Sequence, residues 1–130
     1  MNLPKILSVD DSKTIRMMLK RLFRPFHCEL FEAGDGQEGL TIATAEKPNL
    51  IVLDYNMPVM DGVTMLRHMR DNPELKRTPV IMLTAEDSAE IISTVARLGV
   101  RDYVIKPFEE DQLLSKIGRI VTLERKPELE

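Results

Sequence analysis

Five short apolar runs, each separated from the next by a stretch of helical period, set the strongest constraint on how this chain can fold. "KILSV" (Lys5 to Val9), "ELFEA" (Glu29 to Ala33), Leu50 to Leu53, "PVIML" (Pro79 to Leu83) and "DYVI" (Asp102 to Ile105) read as strands. After the first run, Ile15, Met18, Leu19 and Leu22 recur at the spacing of a helix that buries one face, with Asp11 and Ser12 as possible N-caps. The turn "GDG" at 34 to 36 leads to a helix from about Gln37 to Glu46, and a third helix from about Gly62 to Arg70 is expected to bury Val63, Leu66 and Met69. Asp87 is the expected cap of a fourth helix carrying Ile92, Val95 and Ala96, closed by Gly99 in a left-handed conformation. A last helix carries Leu113, Leu114, Ile117, Ile120 and Val121. Strands separated by helices pair in parallel, and strands without polar alternation are covered on both faces. The pattern therefore predicts an α/β fold, a doubly wound (βα)5 three-layer sandwich around a parallel five-stranded sheet.

At 130 residues, 43% hydrophobic and 30% charged, the chain suits one core, placed at 1–123, with 124–130 as a polar C-terminal tail, linker start or tag remnant that is expected to fray. A net charge of −3 offers no field for gathering nucleic acid, so direct nucleic-acid binding is disfavoured. No apolar run approaches the roughly 20 residues that span a bilayer, and "MNLPKILSVDD" meets acid too early for a signal peptide. The expected location is cytoplasmic, without membrane contact. Cys28, the single cysteine, cannot close an internal disulfide and reads as packing rather than a metal ligand.

In such sheets the strand ends that lead into helices share one edge, where ligands bind. Asp10 and Asp11 end the first strand, Asp54 the third, Thr84 the fourth and Lys106 the fifth. Taken singly, Asp10, Asp11 and Thr84 are explained as helix caps and Lys106 as a solvated strand end. Together they make three carboxylates facing one ammonium and one hydroxyl, and close carboxylates repel unless a cation is supplied. Hard oxygen ligands with an incomplete shell suit Mg²⁺, and a carboxylate beside a metal and a lysine is a plausible phosphoryl acceptor. Asp54 thus stands where a phosphoryl donor reaches it, and the loop from Tyr55 to Met60 can turn a backbone carbonyl toward the metal.

"VDDS", "LDYNMPVMDG", "LTAE" and "YVIKPF" resemble, in order and spacing, the motifs of response-regulator receiver domains of the CheY kind, over about residues 3 to 122. The resemblance implies a flavodoxin-like sheet of order 2-1-3-4-5 and a switch of two-component signal transduction. By the same resemblance Asp54 takes a phosphoryl group from a histidine kinase or phosphotransfer protein. Asp11, the side chain of Asp54 and the backbone carbonyl of Asn56 look like direct Mg²⁺ ligands, and Asp10 acts through water. Lys106 resembles the lysine that pairs with phosphoryl oxygens, its bond to Pro107 expected cis. Thr84 resembles the switch hydroxyl, with small Ala85 leaving access, and Tyr103 the switch aromatic. The implied output face, for a downstream effector, is helix 4, strand 5 and helix 5, with Tyr103 and the candidates Ile91, Ile92 and Val95; core packing is the other reading of those three. Asn56 and Glu86 match the tuning pair of chemotaxis-type receivers, which implies a short-lived phosphorylated state.

Other readings compete. A phosphatase of the haloacid-dehalogenase type needs a second Asp two residues past its nucleophile, where this chain has Asn56, which cannot take up and return a proton. A flavin-binding domain wants a Ser/Thr/Gly-rich loop after the first strand, where "DDSKT" places two acids. A receiver cut from a larger transcription factor or relay protein stays open, although Arg101 stands where many dimerising receivers have an acid. "GDG" lacks the lysine and spacing of a phosphate-binding loop, and Met57, Met60, Met65 and Met69 read as gap-filling. The expectation is a regulatory phosphoacceptor that assists only its own phosphorylation and dephosphorylation, rather than an enzyme acting on other substrates.

Overall fold

A computed structural model describes residues 3–127. Five strands, β1 (Lys5–Val9), β2 (Glu29–Ala33), β3 (Leu50–Asp54), β4 (Val80–Thr84) and β5 (Asp102–Ile105), alternate with α1 (Lys13–Phe23), α2 (Gly36–Glu46), α3 (Gly62–Arg70), α4 (Ala89–Arg97) and α5 (Glu110–Gly118). All neighbouring strands pair in parallel in the order β2-β1-β3-β4-β5.

Every residue of β3 and β4 is buried, whereas the edge strands β2 and β5 are only partly so. The difference follows from position, because a central strand is covered on both faces and flanked on both sides. Alternate residues feed two cores. Leu7, Val9, Ile51, Leu53 and Met82 pack with Ala43 of α2, Met65, Leu66 and Met69 of α3 and Val95 of α4. Ile6, Leu50, Val52, Ile81, Leu83 and Val104 pack with Leu19, Leu22 and Phe23 of α1 and Leu113 and Ile117 of α5. The helices are thereby split between the two faces of the sheet.

Local chemistry sets the helix starts. Ser12 is the cap of α1, its hydroxyl accepting from Ile15 N at 3.2 Å. Asp35 caps α2, so that helix begins at Gly36, one residue before the expected start. The expectation for Asp87 is corrected: Ser88 caps α4, with extended backbone and its hydroxyl 3.2 Å from Ile91 N. Val63 is only partly buried, while Met65 joins Leu66 and Met69 in the core. Ile120 and Val121 follow α5 instead of belonging to it, yet Val121 is buried. Gly99 has φ +78°, the left-handed conformation expected there.

Residues 124–126 pair with the α1–β2 turn. His27 N donates to the Glu124 carbonyl at 2.8 Å and Lys126 N to the Pro25 carbonyl at 2.7 Å, and Arg125 lies over the Phe26 ring at 5.4 Å. The apolar rings of the α1–β2 turn give this polar segment something to pack on. Cys28 is free and partly buried beneath it, and burial pushes its thiol pKa up, against a smaller opposing pull from Lys126.

Candidate functional site

Two strands and the turn that follows the first deliver the acids to one point. β1 and β3 run side by side in register, so their C-terminal residues end at the same level, with Asp54 next to the position at which Asp10 leaves the sheet. Asp10, Asp11 and Asp54 each offer a carboxylate oxygen within 4.8 Å of the others. Asp10 is 1% exposed and Asp54 5%, while Asp11 is open to solvent. The Lys106 ammonium, brought in by β5, donates to Asp10 Oδ2 at 3.1 Å and to Asp54 Oδ1 at 3.0 Å. The Lys106–Pro107 peptide bond is cis.

Electrostatics follow from this crowding. Burial, and then the neighbouring negative charge of Asp10, push the Asp54 carboxyl pKa up to about 6, against the opposing pull of Lys106. Burial alone would lower the Lys106 pKa; its hydrogen bond to Asp54 and the charges of Asp10 and Asp54 outweigh burial, and the net direction is up. A single ammonium therefore neutralises only part of a three-carboxylate cluster.

Backbone contacts hold the frame. Asp10 Oδ1 accepts from Ser12 N at 2.9 Å, which fixes the acid pair as a turn into α1. Tyr55 N donates to the Leu83 carbonyl at 2.8 Å, and Gly62 N to the Tyr55 carbonyl at 3.0 Å, which folds the β3–α3 loop back over the end of β3. A Cβ on Gly62 would lie 2.2 Å from the Asp54 carbonyl oxygen, so only glycine lets α3 start this close to Asp54. Met60 and Met57 pack against the first core while Met65 and Met69 are wholly within it, a gap-filling use.

The remaining candidates stand around this centre. Thr84 ends β4 at the same edge and is 1% exposed, and Lys106 N donates to its carbonyl at 2.8 Å. Its hydroxyl is engaged locally, donating to the Glu86 carbonyl and accepting from Glu86 N, both at 3.1 Å. Glu86 and Asn56 are exposed on the loops after β4 and β3. Tyr103 lies on β5, away from the acids, half-buried against the first core with the Lys116 ammonium 5.8 Å from its ring centre. Ile91 and Ile92 are half-buried, whereas Val95 is core. Sequence reasoning passed over Arg16, whose Nη1 donates to the Asp10 carbonyl at 2.7 Å while Nε lies 3.5 Å from Glu32. Its signal was a basic residue one turn into the helix that follows an acid pair.

Residues 6–118 match the family model for the response regulator receiver domain. The chain belongs to the response-regulator receiver family. This receiver is 40% identical to the chemotaxis protein CheY of Pseudomonas aeruginosa over 89% of this chain and 94% of that protein. It is 34% identical to the sporulation initiation phosphotransferase F of Bacillus subtilis, over 92% of this chain and 94% of that one. The solved structure of the chemotaxis response regulator CheY4 of Vibrio cholerae superposes with a TM-score of 0.85 at 34% identity, covering 92% of this chain and all of that one. A receiver is a signalling module rather than an enzyme acting on other substrates, and it works in two-component systems. No helix among the described residues is long and apolar enough to cross a membrane.

Proposed function

We propose that this receiver accepts a phosphoryl group from a histidine kinase on Asp54 and uses the added charge to change its binding surface. The observation that carries the reading is the Lys106 ammonium bridging Asp10 and Asp54 beside Asp11. With a pKa of about 6, Asp54 is mostly ionised at neutral pH and available as a nucleophile. Its oxygen forms the new phosphorus–oxygen bond as the donor's phosphorus–nitrogen bond breaks, and the electron pair leaves with the imidazole, which takes up a proton. Lys106 is placed to pair with the incoming phosphoryl oxygens.

The donor set fits Mg²⁺, since clustered carboxylate oxygens without nitrogen or sulfur suit a hard cation that keeps several waters. Asp11 and Asp54 would hold it, with Asp10 acting through water and the Asn56 carbonyl completing the protein's share. When bound, Mg²⁺ neutralises charge on the transferring group.

The Thr84 hydroxyl has to leave its turn with Glu86 to reach a phosphoryl group on Asp54. That exchange supplies contacts that differ between two states, which any shift of population requires. Tyr103 on the adjacent strand follows that movement, and α4, β5 and α5, with half-buried Ile91 and Ile92, form the effector-binding face. Asn56 and Glu86, both exposed at the mouth of the site, favour rapid loss of the phosphoryl group; a lifetime of many hours in purified protein would contradict this assignment.

The test is intact-mass measurement after incubation with acetyl phosphate and Mg²⁺. The protein should gain one phosphoryl group and Asp54→Asn none. Equal gain by both would place the acceptor elsewhere and end this reading.

A further inference from the structure

At the opposite edge of the sheet, where β4 and β5 begin, Arg70, Lys76, Arg77, Thr78, Arg97 and Arg101 line an open crevice of about 530 Å³. That volume lies within the range of small-molecule sites, roughly 300 to 1,000 Å³. We propose that this crevice binds a small molecule carrying two or more phosphate groups.

The charge distribution is the first argument. The whole chain carries −3, yet five cations gather here. Arg97 closes α4, where a cation suits the helix dipole. Lys76, Arg77 and Arg101 lie on loops and have no such reason. Among the described residues, Lys76, Arg77, Arg97 and Arg101 are exposed and none has a carboxylate at ion-pair distance. Converging like charges repel, and a bound anion removes the repulsion.

The second argument is the floor of the crevice. C-terminal ends of helices present carbonyl oxygens, which repel anions. Here Arg70 takes them up, its Nε donating to the Leu98 carbonyl at 2.7 Å, Nη2 to Gly99 at 3.3 Å, and Nη1 to Lys76 and Thr78, each at 3.1 Å. Those four carbonyls are thereby engaged, while Lys76, Arg77, Arg97 and Arg101 supply exposed donors around the opening. Guanidinium forks match phosphate oxygens in pairs, and several separated cations around one opening favour a ligand with several anionic groups over a single carboxylate.

A nucleoside triphosphate and inorganic tripolyphosphate share this chemistry. Both are titrated into the ¹⁵N-labelled 130-residue chain in EDTA, so that the acidic edge, lacking metal, repels them. The expected result is saturable binding with amide shifts centred on residues 76–79 and 97–101. Arg77→Gln/Arg97→Gln should weaken it by about tenfold or more while still gaining a phosphoryl group on Asp54. Should that double variant unfold, Arg101→Gln alone is read in the same way. Tighter binding of the nucleoside triphosphate would assign a nucleotide, and equal binding a free polyphosphate; either outcome supports the proposal. Absence of saturation, shifts elsewhere, affinity unchanged in the variants, or hexaglutamate binding as tightly as tripolyphosphate would overturn it. The last outcome would point to an acidic protein segment.

Discussion

Without metal, the buried Asp54 carboxylate should destabilise this receiver, and the effect should depend on pH in one direction. Its pKa is about 6 in the folded protein against an ordinary 3.8. Between those values the native state binds more protons than the unfolded chain, so stability falls as pH rises and levels off above the folded pKa. At about 1.36 kcal/mol per tenfold change in proton affinity, the full loss is roughly 3 kcal/mol, a large part of the 5 to 15 kcal/mol typical of a domain. Asp54→Asn removes the titration while keeping the shape. Urea denaturation in EDTA at pH 4 and pH 7.5 should show the two proteins within about half a kcal/mol in acid and the variant more stable by about 3 kcal/mol near neutrality. Adding Mg²⁺ should then raise the wild type more than the variant. A difference that is the same at both pH values would refute the reasoning, because it would mean that Asp54 is not held in an environment hostile to its charge.

Gly62→Ala should cost about 2 kcal/mol or more, because the new Cβ meets the Asp54 carbonyl oxygen at 2.2 Å and backbone cannot yield cheaply; a urea midpoint close to wild type would count against that clash. Arg70→Ala should lose about 3 kcal/mol through orphaned carbonyls at the start of β4 and β5, and Arg70→Lys, without the fork, should recover little of it in thermal unfolding. Val59 is 83% exposed with φ +67°, a conformation unfavourable for a β-branched residue, so Val59→Asn should raise stability by about 1 kcal/mol, read as a higher melting temperature.

The sheet and the acid cluster were legible because their signals are local. The central strands β3 and β4 are uninterrupted apolar runs, β1 is broken only by Ser8, and the strands leading to the site stop on polar residues, so Asp10, Asp54, Thr84 and Lys106 announce a common edge. The order of the strands came from resemblance, since hydrophobic pattern alone does not say which parallel neighbours pair. What stayed hidden depends on partners distant in sequence. Arg70 satisfies carbonyls 28 and 29 positions away, which no periodicity marks. Residues 124–126 look solvated, and their pairing with 25–27 is visible only once Phe26 is placed beneath them. Asp87 and Ser88 are equally good caps by composition, and the path of the chain out of β4 selects Ser88. The engagement of the Thr84 hydroxyl with Glu86 is likewise a matter of conformation rather than of residue type.

Asp10 and Lys106 touch although 96 positions separate them, and Asp54 meets the same ammonium from 52 positions away. No proteolytic fragment confined to one half of the polypeptide can hold that triad. The proposed phosphoryl uptake would thus double as a report on assembly: a chain cut in a loop between α1 and β5 should regain it only when both pieces are mixed and reassociate.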